Sequence, residues 1–408
     1  MNKGALSHIR VLELSRILAG PWTGQILADL GAEVVKVERP GRGDDTRHWG
    51  PPWLQDESGN DTGESAYYLC ANRGKKSVTI DITQSEGQEL IRKLAARSDI
   101  LLENYKVGGL AKYGLDYQSL QQINPRLIYC SITGFGQTGP YRNRAGYDFL
   151  IQGMGGLMSI TGEPDGVPGG GPQKVGVALA DVMTGLYAGN ACLAALAYRE
   201  QTGIGQHIDM ALLDVQVATL ANQASNYLIS GKTPRRLGNC HPNIVPYQPF
   251  ASSDGYFILA VGNDDQFSRL CDLLGHPQYA VDLRFATNAA RVQHRDDLVA
   301  LLRSLFQEES SSHWIRALEA ISVPCGPINT IEQALHNPQV QARGMVIECD
   351  HPMAGKVPLV ANPIKLSEST VEPGSAPPLL GEHTDQVLAE LLDIDQAERR
   401  QLRDRGVL

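Results

Sequence analysis

Residues 9–38 read IRVLELSRILAGPWTGQILADLGAEVVKVE, and their pattern decides the fold. Ile9–Leu14 is a mostly apolar run of strand length, interrupted by Arg10 and Glu13. Gly20–Leu30 has helical spacing, with Pro21 suited to a first turn, where its missing N–H costs nothing. Glu33–Glu38 alternates apolar and charged residues like a second strand. A strand, a helix and a strand in so short a span form a βαβ unit, whose two strands run parallel.

The same alternation continues outward. Ser77–Ile82 reads as a strand and Gln84–Ala96 as a helix, with further short apolar strands at Ile100–Glu103 and Leu127–Ile132. These repeats predict an α/β fold built on a parallel sheet. The strongest helical segment follows at Ala178–Arg199. Beyond about residue 220 the texture changes: Lys232–Gly238 is basic and loop-like, Gly255–Gly262 is strand-like, and Asp265–Leu274, Asp296–Phe306 and Ser311–Ile321 look helical. From about 325 the chain is rich in Pro, Gly and Asn, and a last helix is expected at Thr384–Leu392. The expected organisation is a large domain begun by residues 1–220, a smaller α/β unit at 225–325, and a return segment at 326–408 that completes the large domain.

Composition narrows the function. The 408 residues include 36 Lys and Arg against 45 Asp and Glu, a net charge of −9. That balance argues against a nucleic-acid coat or a polybasic membrane surface, but leaves room for a local basic site that takes one anionic ligand. No uninterrupted apolar run approaches membrane-spanning length, and the opening MNKGALSHIRVLELS lacks the core of a signal peptide, so neither membrane nor export is expected. The 7 cysteines are scattered and include no CxxC pair. They read as reduced thiols of a cytoplasmic protein, without a disulfide framework or a zinc site.

Several motif-like stretches lead nowhere. Gly134–Gly139 matches GxGxxG, yet Pro140 and a polar run follow where a dinucleotide-binding helix would open. Gly231-Lys-Thr233 resembles the end of a phosphate-binding loop, but Asn226 stands where its leading glycine belongs. The 10 histidines are dispersed, without HExxH spacing. No metal is expected.

The informative segment is Val177–Tyr198, VALADVMTGLYAGNACLAALAY. From Val182 to Tyr198 it carries no charge, so a helix here must be largely buried. Small residues such as Gly185, Ala188 and Gly189 allow another backbone to approach. Asp181 stands alone at the first turn. It is either an N-cap or a poorly hydrated nucleophile. In the second case the helix terminus favours the anion and opposes the rise in pKa that burial brings, so the carboxylate is expected to stay ionised.

Around it the chain resembles class III CoA-transferases, the CaiB/BaiF family. The likeness is carried by LSRILAGP (14–21), LADLGAEVVKVERPGRGDDTR (27–47), NRGKKSVTIDI (72–82), ENY (103–105), NPRLIYCSITGFGQTGP (124–140), AGYD (145–148), ALADVMTGLYA (178–188), TGIGQHIDMALLD (202–214), VPCGPIN (323–329) and PPLLGEHT (377–384). Within the family, GDDTRHWGPPW (43–53), HPNIVPYQPF (241–250) and VGNDDQFSRLCDLLG (261–275) resemble the branch that exchanges CoA between succinate and hydroxymethylglutarate or glutarate.

The resemblance implies a Rossmann-like large domain, a smaller inserted domain and an interlocked homodimer. It implies CoA transfer from succinyl-CoA or a similar acyl-CoA to a dicarboxylic acid, or to another short acid. Asp181 would carry the intermediate. The CoA thioester is a substrate, and no tightly bound cofactor is expected. CoA contacts fall on Arg16, Ile17 and Ala19, on Arg39, on Asn72, Arg73 and Lys75, and on Asn104, Tyr105 and Lys112. For the carboxylate acceptor the candidates are Arg47, Arg144, Tyr147, Gly238 and His241, with Arg16 a further candidate cation for the remote carboxylate. The four-glycine lid of the formyl-CoA type is reduced here to Gly238, and Thr133 and Phe135 replace its Lys and Tyr. A 2-methylacyl-CoA racemase pairs the aspartate with histidine in a GHD sequence. Here Tyr147 takes that place, a poor substitute as a base.

Overall fold

The structure, a computed structural model, describes residues 4–372 and 374–408. Met1–Lys3, part of the opening stretch, and Pro373, in the Pro/Gly-rich tail, lie outside them. The chain divides into two compact units. One comprises the chain up to Leu157 together with Val175–Ser225 and Pro338–Leu408. The other comprises Met158–Lys174 and Asn226–Asn337.

The first unit is built on a six-stranded sheet. Its elements are β1 (Arg10–Glu13), α1 (Ala19–Asp29), β2 (Glu33–Glu38), β3 (Lys75–Thr79), α2 (Ser85–Ala96), β4 (Ile100–Glu103), β5 (Ile128–Thr133), α3 (Asp148–Met154), α4 (Leu179–Thr202) and β6 (His207–Ala211). The strand order is β3-β2-β1-β4-β5-β6, and every neighbouring pair is parallel. This is the order of the doubly wound nucleotide-binding folds. Strand β6 was not expected from the sequence: its burial alternates along an exposed edge, and its polar residues hide the strand pattern.

Side chains alternate across β1. Leu12 joins a core with Val35, Val78 and Leu101, covered by Leu90, Ile91 and Leu94 of α2 and by Val387 and Leu388 of a C-terminal helix, Thr384–Leu392. Val11 faces the opposite core, with Val34 and Ile100, covered by Leu27 of α1 and Ala188, Cys192 and Ala195 of α4. Both faces are thus covered, as is usual for a parallel sheet.

Helix α4 is 24 residues long, and its length and composition suffice to cross a membrane. The expectation from uninterrupted apolar runs missed this, because glycine, threonine and asparagine interrupt the run without adding charge. In the unit α4 packs on α1. A Cβ added at Gly185 would stand 2.8 Å from the carbonyl oxygen of Ala19 and 3.0 Å from Cβ of Trp22. Thr23 Oγ1 also donates to the carbonyl of Gly185 at 3.1 Å. The small residue thus lets the two backbones meet.

The second unit contains a three-stranded antiparallel sheet in which β8 (Tyr256–Ala260) lies between β7 (Tyr247–Ala251) and β9 (Cys325–Pro327). Helices Asp264–Leu273, Arg295–Phe306 and Ser311–Ala320 close its core around Phe250, Phe257, Phe267, Phe306 and Trp314.

Candidate active site

In a sheet of this order, loops leave β1 and β4 in opposite directions and open a crevice beyond the carboxyl ends of the strands. A cavity of about 680 Å³ lies there. Its wall takes residues from the end of every strand: Arg16–Ala19 after β1, Glu38 and Arg39 at β2, Ile80–Thr83 after β3, Asn104 and Tyr105 after β4, Thr133 and Gly134 at β5, and Leu212 after β6. Asp181 lines the same cavity from the first turn of α4.

The two readings of Asp181 are separated by its neighbour. Ala178, the residue before α4, makes no side-chain cap. Asp148, at the start of α3, caps α4 instead: its Oδ1 accepts from the backbone N–H groups of Ala180 at 2.8 Å and Asp181 at 3.2 Å. Gln152 Nε2 donates to its other oxygen at 2.7 Å. The helix terminus is therefore already satisfied by a carboxylate, and the side chain of Asp181 is released from that work. Among the described residues, no donor lies within hydrogen-bond distance of its carboxylate.

Burial, and then the negative charge of Asp148, push the Asp181 carboxyl up to about 7. The expectation of a fully ionised group is corrected accordingly: the charge that favours an anion at the helix terminus is answered by Asp148. Near pH 7 the two protonation states of Asp181 are similarly populated. Tyr67 stands within electrostatic reach. Burial and then Asp181 raise its hydroxyl to about 12, so it stays a neutral donor. Its ring meets Trp49 edge-on at 5.1 Å. Sequence reasoning assigned no role to Tyr67 or Asp148; AGYD contains the latter, but nothing local signals a cap for a helix 33 residues away.

The cavity has a basic wall in an acidic protein. Arg39, Lys106, Lys112, Arg142 and Arg144 line it, and among the described residues none has a carboxylate ion-pair partner. Lys112 Nζ lies 4.5 Å from the centre of the Tyr113 ring. The Arg144 guanidinium lies 5.3 Å from the centre of Phe135 and 4.7 Å from that of Tyr141. Arg16 also lines the cavity but pairs with Asp45 at 2.7 Å.

Of the residues expected to contact CoA, Arg16, Ile17, Ala19, Arg39, Asn104, Tyr105 and Lys112 line this cavity. Asn72, Arg73 and Lys75 do not. Lys75 is buried and pairs with Glu13 at 2.9 Å while donating to Asn72 Oδ1 and the carbonyl of Pro21. Arg73 forks onto Asp29 at 2.9 and 2.5 Å. Asn72 donates to the carbonyl of Tyr68. Their polar ends are used inside the fold and leave nothing for a phosphate.

The acceptor candidates divide in the same way. Arg144 and Tyr147 line the cavity. Arg47 is buried with its donors occupied: it grips Glu38 with two bonds of 2.8 Å, reaches Glu64 at 3.2 Å and Tyr68 Oη at 2.6 Å, and donates to the carbonyl of Pro378. It is a structural ion pair. Gly238 and His241 belong to the second unit. Gly238 N–H donates to the carbonyl of Gly162 at 3.1 Å, and neighbouring Arg236 pairs with Asp165. His241 Nδ1 accepts from Asn243 N–H at 3.1 Å. Burial and then Arg295 hold its pKa below the ordinary value, which disfavours its cation.

The described residues contain no cluster of three or more His, Cys, Asp and Glu fit to hold a metal.

Comparison with known proteins fits this arrangement. The model of CoA-transferase family III matches residues 6–384. The chain belongs to CoA-transferase family III. Relatives in this family include the succinate–glutarate CoA-transferase of Agrobacterium fabrum, 53% identical over 97% of this chain and 98% of that protein. The succinyl-CoA:glutarate CoA-transferase of Homo sapiens is 43% identical over 100% of this chain and 90% of its own length. Among solved structures, a CaiB/BaiF family protein from Brucella suis superposes with a TM-score of 0.83 at 54% identity, covering 96% of this chain and 100% of that one. In this chain Asp181 thus shares its cavity with Arg39, Lys106, Lys112, Arg142 and Arg144, which have no carboxylate partner among the described residues.

Proposed function

We propose that this enzyme transfers CoA from succinyl-CoA to glutarate, with Asp181 as the covalent carrier. The observation that carries the reading is the partnerless Asp181 carboxylate in a cavity that Arg39, Lys106, Lys112, Arg142 and Arg144 line without a carboxylate partner among the described residues. Full-length similarity to succinate–glutarate CoA-transferases supports the choice of substrates.

The anionic carboxylate of Asp181 attacks the thioester carbonyl. The C–S bond breaks, CoA thiolate leaves, and a mixed anhydride remains. The thiolate then attacks the Asp181 carbonyl, releasing succinate and forming an aspartyl-CoA thioester. A carboxylate of glutarate displaces the thiolate from that thioester to give a second anhydride. Thiolate attack on the glutaryl carbonyl yields glutaryl-CoA and frees Asp181. Protons balance without a net donor or acceptor, and each activated bond is exchanged for another of similar energy. A carboxyl group with a raised pKa is a more basic nucleophile once ionised. Arg39 and Lys112 suit the phosphates of CoA through charge-assisted hydrogen bonds. Arg144, free of any carboxylate of its own, suits the remote carboxylate of the dicarboxylic acids through its forked guanidinium.

The reading includes the inserted small domain of residues 225–325, an interlocked homodimer and a cytoplasmic location. The exposed Leu186, Tyr187, Leu193 and Tyr198 of α4 support a partner copy over that helix, because contiguous apolar patches favour association. Free cysteines support a reducing compartment.

Oxygen labelling tests the chemistry. In the sequence above, succinate leaves with one oxygen from Asp181, and Asp181 regains one from glutarate. Turnover with carboxylate-18O-labelled glutarate must therefore move the label, one atom per transfer, first into Asp181 and then into succinate. Label that stays wholly in glutarate and glutaryl-CoA would exclude the anhydride route.

A further inference from the structure

The loop between β1 and α1 holds a backbone conformation that its sequence resists. Ile17 has φ +72°, in the left-handed region that a β-branched residue seldom enters. Such strain persists only where the surroundings over-determine it. Here the main chain is held at three consecutive residues. The carbonyl of Ser15 accepts from Lys36 Nζ at 2.8 Å. The amide of Asn104 grips Arg16 at both ends, accepting from its N–H at 3.0 Å and donating to its carbonyl at 2.7 Å. The N–H of Ile17 is shared by both carboxylate oxygens of Asp44, at 3.2 Å each.

Asp44 is itself locked. Its Oδ1 accepts from the N–H of Thr46 at 3.0 Å and from Thr46 Oγ1 at 2.9 Å, and its Oδ2 pairs with Lys36 at 3.0 Å. Lys36 and Asp44 have fully buried side chains. Lys36 also binds Glu13 at 3.1 Å, so the clamp is anchored in β1 and β2. The loop it holds, Arg16–Ala19, lines the cavity that contains Asp181.

We propose that Asp44 and Asn104 are positioning residues for CoA transfer, which together force Ile17 into its left-handed conformation and so preset the Arg16–Ala19 wall of the acyl-CoA cavity. This assigns Asn104 a role beyond the expected CoA contact, because its amide oxygen and its amide nitrogen each bind the backbone of Arg16. The cost of the strained loop is met in the free protein, so the substrate meets a wall that needs no rearrangement. The inference rests on the proposed CoA-transferase activity.

The test is a set of double-mutant cycles with Ile17→Gly, since glycine adopts φ +72° without strain. Asp44→Asn keeps the shape but loses the shared carboxylate. It is expected to lower kcat/KM for succinyl-CoA at least about tenfold when Ile17 is present and less than about threefold in the Ile17→Gly background. Asn104→Ala, whose removal leaves the buried Lys36 pair intact, is expected to repeat that pattern and keeps the test decisive if Asp44→Asn fails to fold. The KM for succinyl-CoA should absorb most of the loss. Equal losses in both backgrounds, or no loss from Asn104→Ala, would overturn the clamp. If wild-type protein moved no CoA between succinyl-CoA and any acid, the activity itself would fail, a result distinct from active wild type with uncoupled variants.

Discussion

Asp148 accepts a hydrogen bond from the backbone N–H of Asp181 at 3.2 Å, so one aspartate caps the helix that presents the other. The cap and the proposed nucleophile are separate residues, and their charges repel. That repulsion, added to burial, raises the Asp181 carboxyl to about 7.

As the proposed nucleophile, Asp181 would have to be ionised, so kcat/KM for succinyl-CoA is expected to rise with pH and level off above a midpoint near 7. Asp148→Asn keeps an oxygen for the helix N–H groups but removes the neighbouring charge. Its profile should shift toward acid, because loss of a like charge favours ionisation. Initial rates from about pH 5 to about pH 9 measure both. A midpoint unmoved by Asp148→Asn would separate the pKa of Asp181 from its neighbour.

Arg144→Gln should raise the KM for glutarate by about 10- to 100-fold, the loss of one charge-assisted hydrogen-bond partner. A monocarboxylic acceptor of similar size has no remote carboxylate to lose, so its KM should barely change. Comparing the two acceptors on one enzyme preparation distinguishes lost recognition from general damage.

Arg47→Gln should act on stability. Its guanidinium and Glu38 are almost wholly buried, with side chains 6% and 1% exposed. Breaking a buried pair leaves an uncompensated charge and costs about 3–5 kcal/mol. Urea unfolding should register that loss, while the KM for glutarate of the folded fraction stays at the wild-type value. Selective loss of glutarate binding would return Arg47 to the acceptor site.

The difference between Arg144 and Arg47 marks how far the sequence could be read. The βαβ frame was legible because Ile9–Leu14 and Glu33–Glu38 carry their pattern locally, and α4 announced itself by its uncharged run. Asp181 stood out for the same reason, as a lone charge beside that run. What stayed hidden was which polar groups were already spent. Arg47 is consumed by Glu38 and by Pro378, 331 residues away, and Lys75 by Glu13, 62 residues away. Only the fold brings those partners together. The strained Ile17 was equally silent, since no residue type in LSRILAGP requires a left-handed turn and the groups that force it lie in other loops.

The ionised state proposed to serve catalysis also costs stability, and the sign follows from the direction of the shift. Asp181 is raised in the folded protein from its ordinary value of 3.8 to about 7. Below about pH 3 both folded and unfolded chains hold the proton, and the residue is neutral to folding. Between the two values the unfolded chain releases its proton more readily, so stability falls as pH rises and reaches its full deficit above about 7. Asp181→Asn cannot ionise and escapes this deficit. It should therefore melt a few degrees above wild type at about pH 8, show a margin that shrinks toward zero as pH falls to about 3, and transfer no CoA. Thermal scans at the two pH values, run beside a transfer assay, measure all three. A variant that melts below wild type at the higher pH would mean that ionised Asp181 is stabilised by contacts this site does not possess.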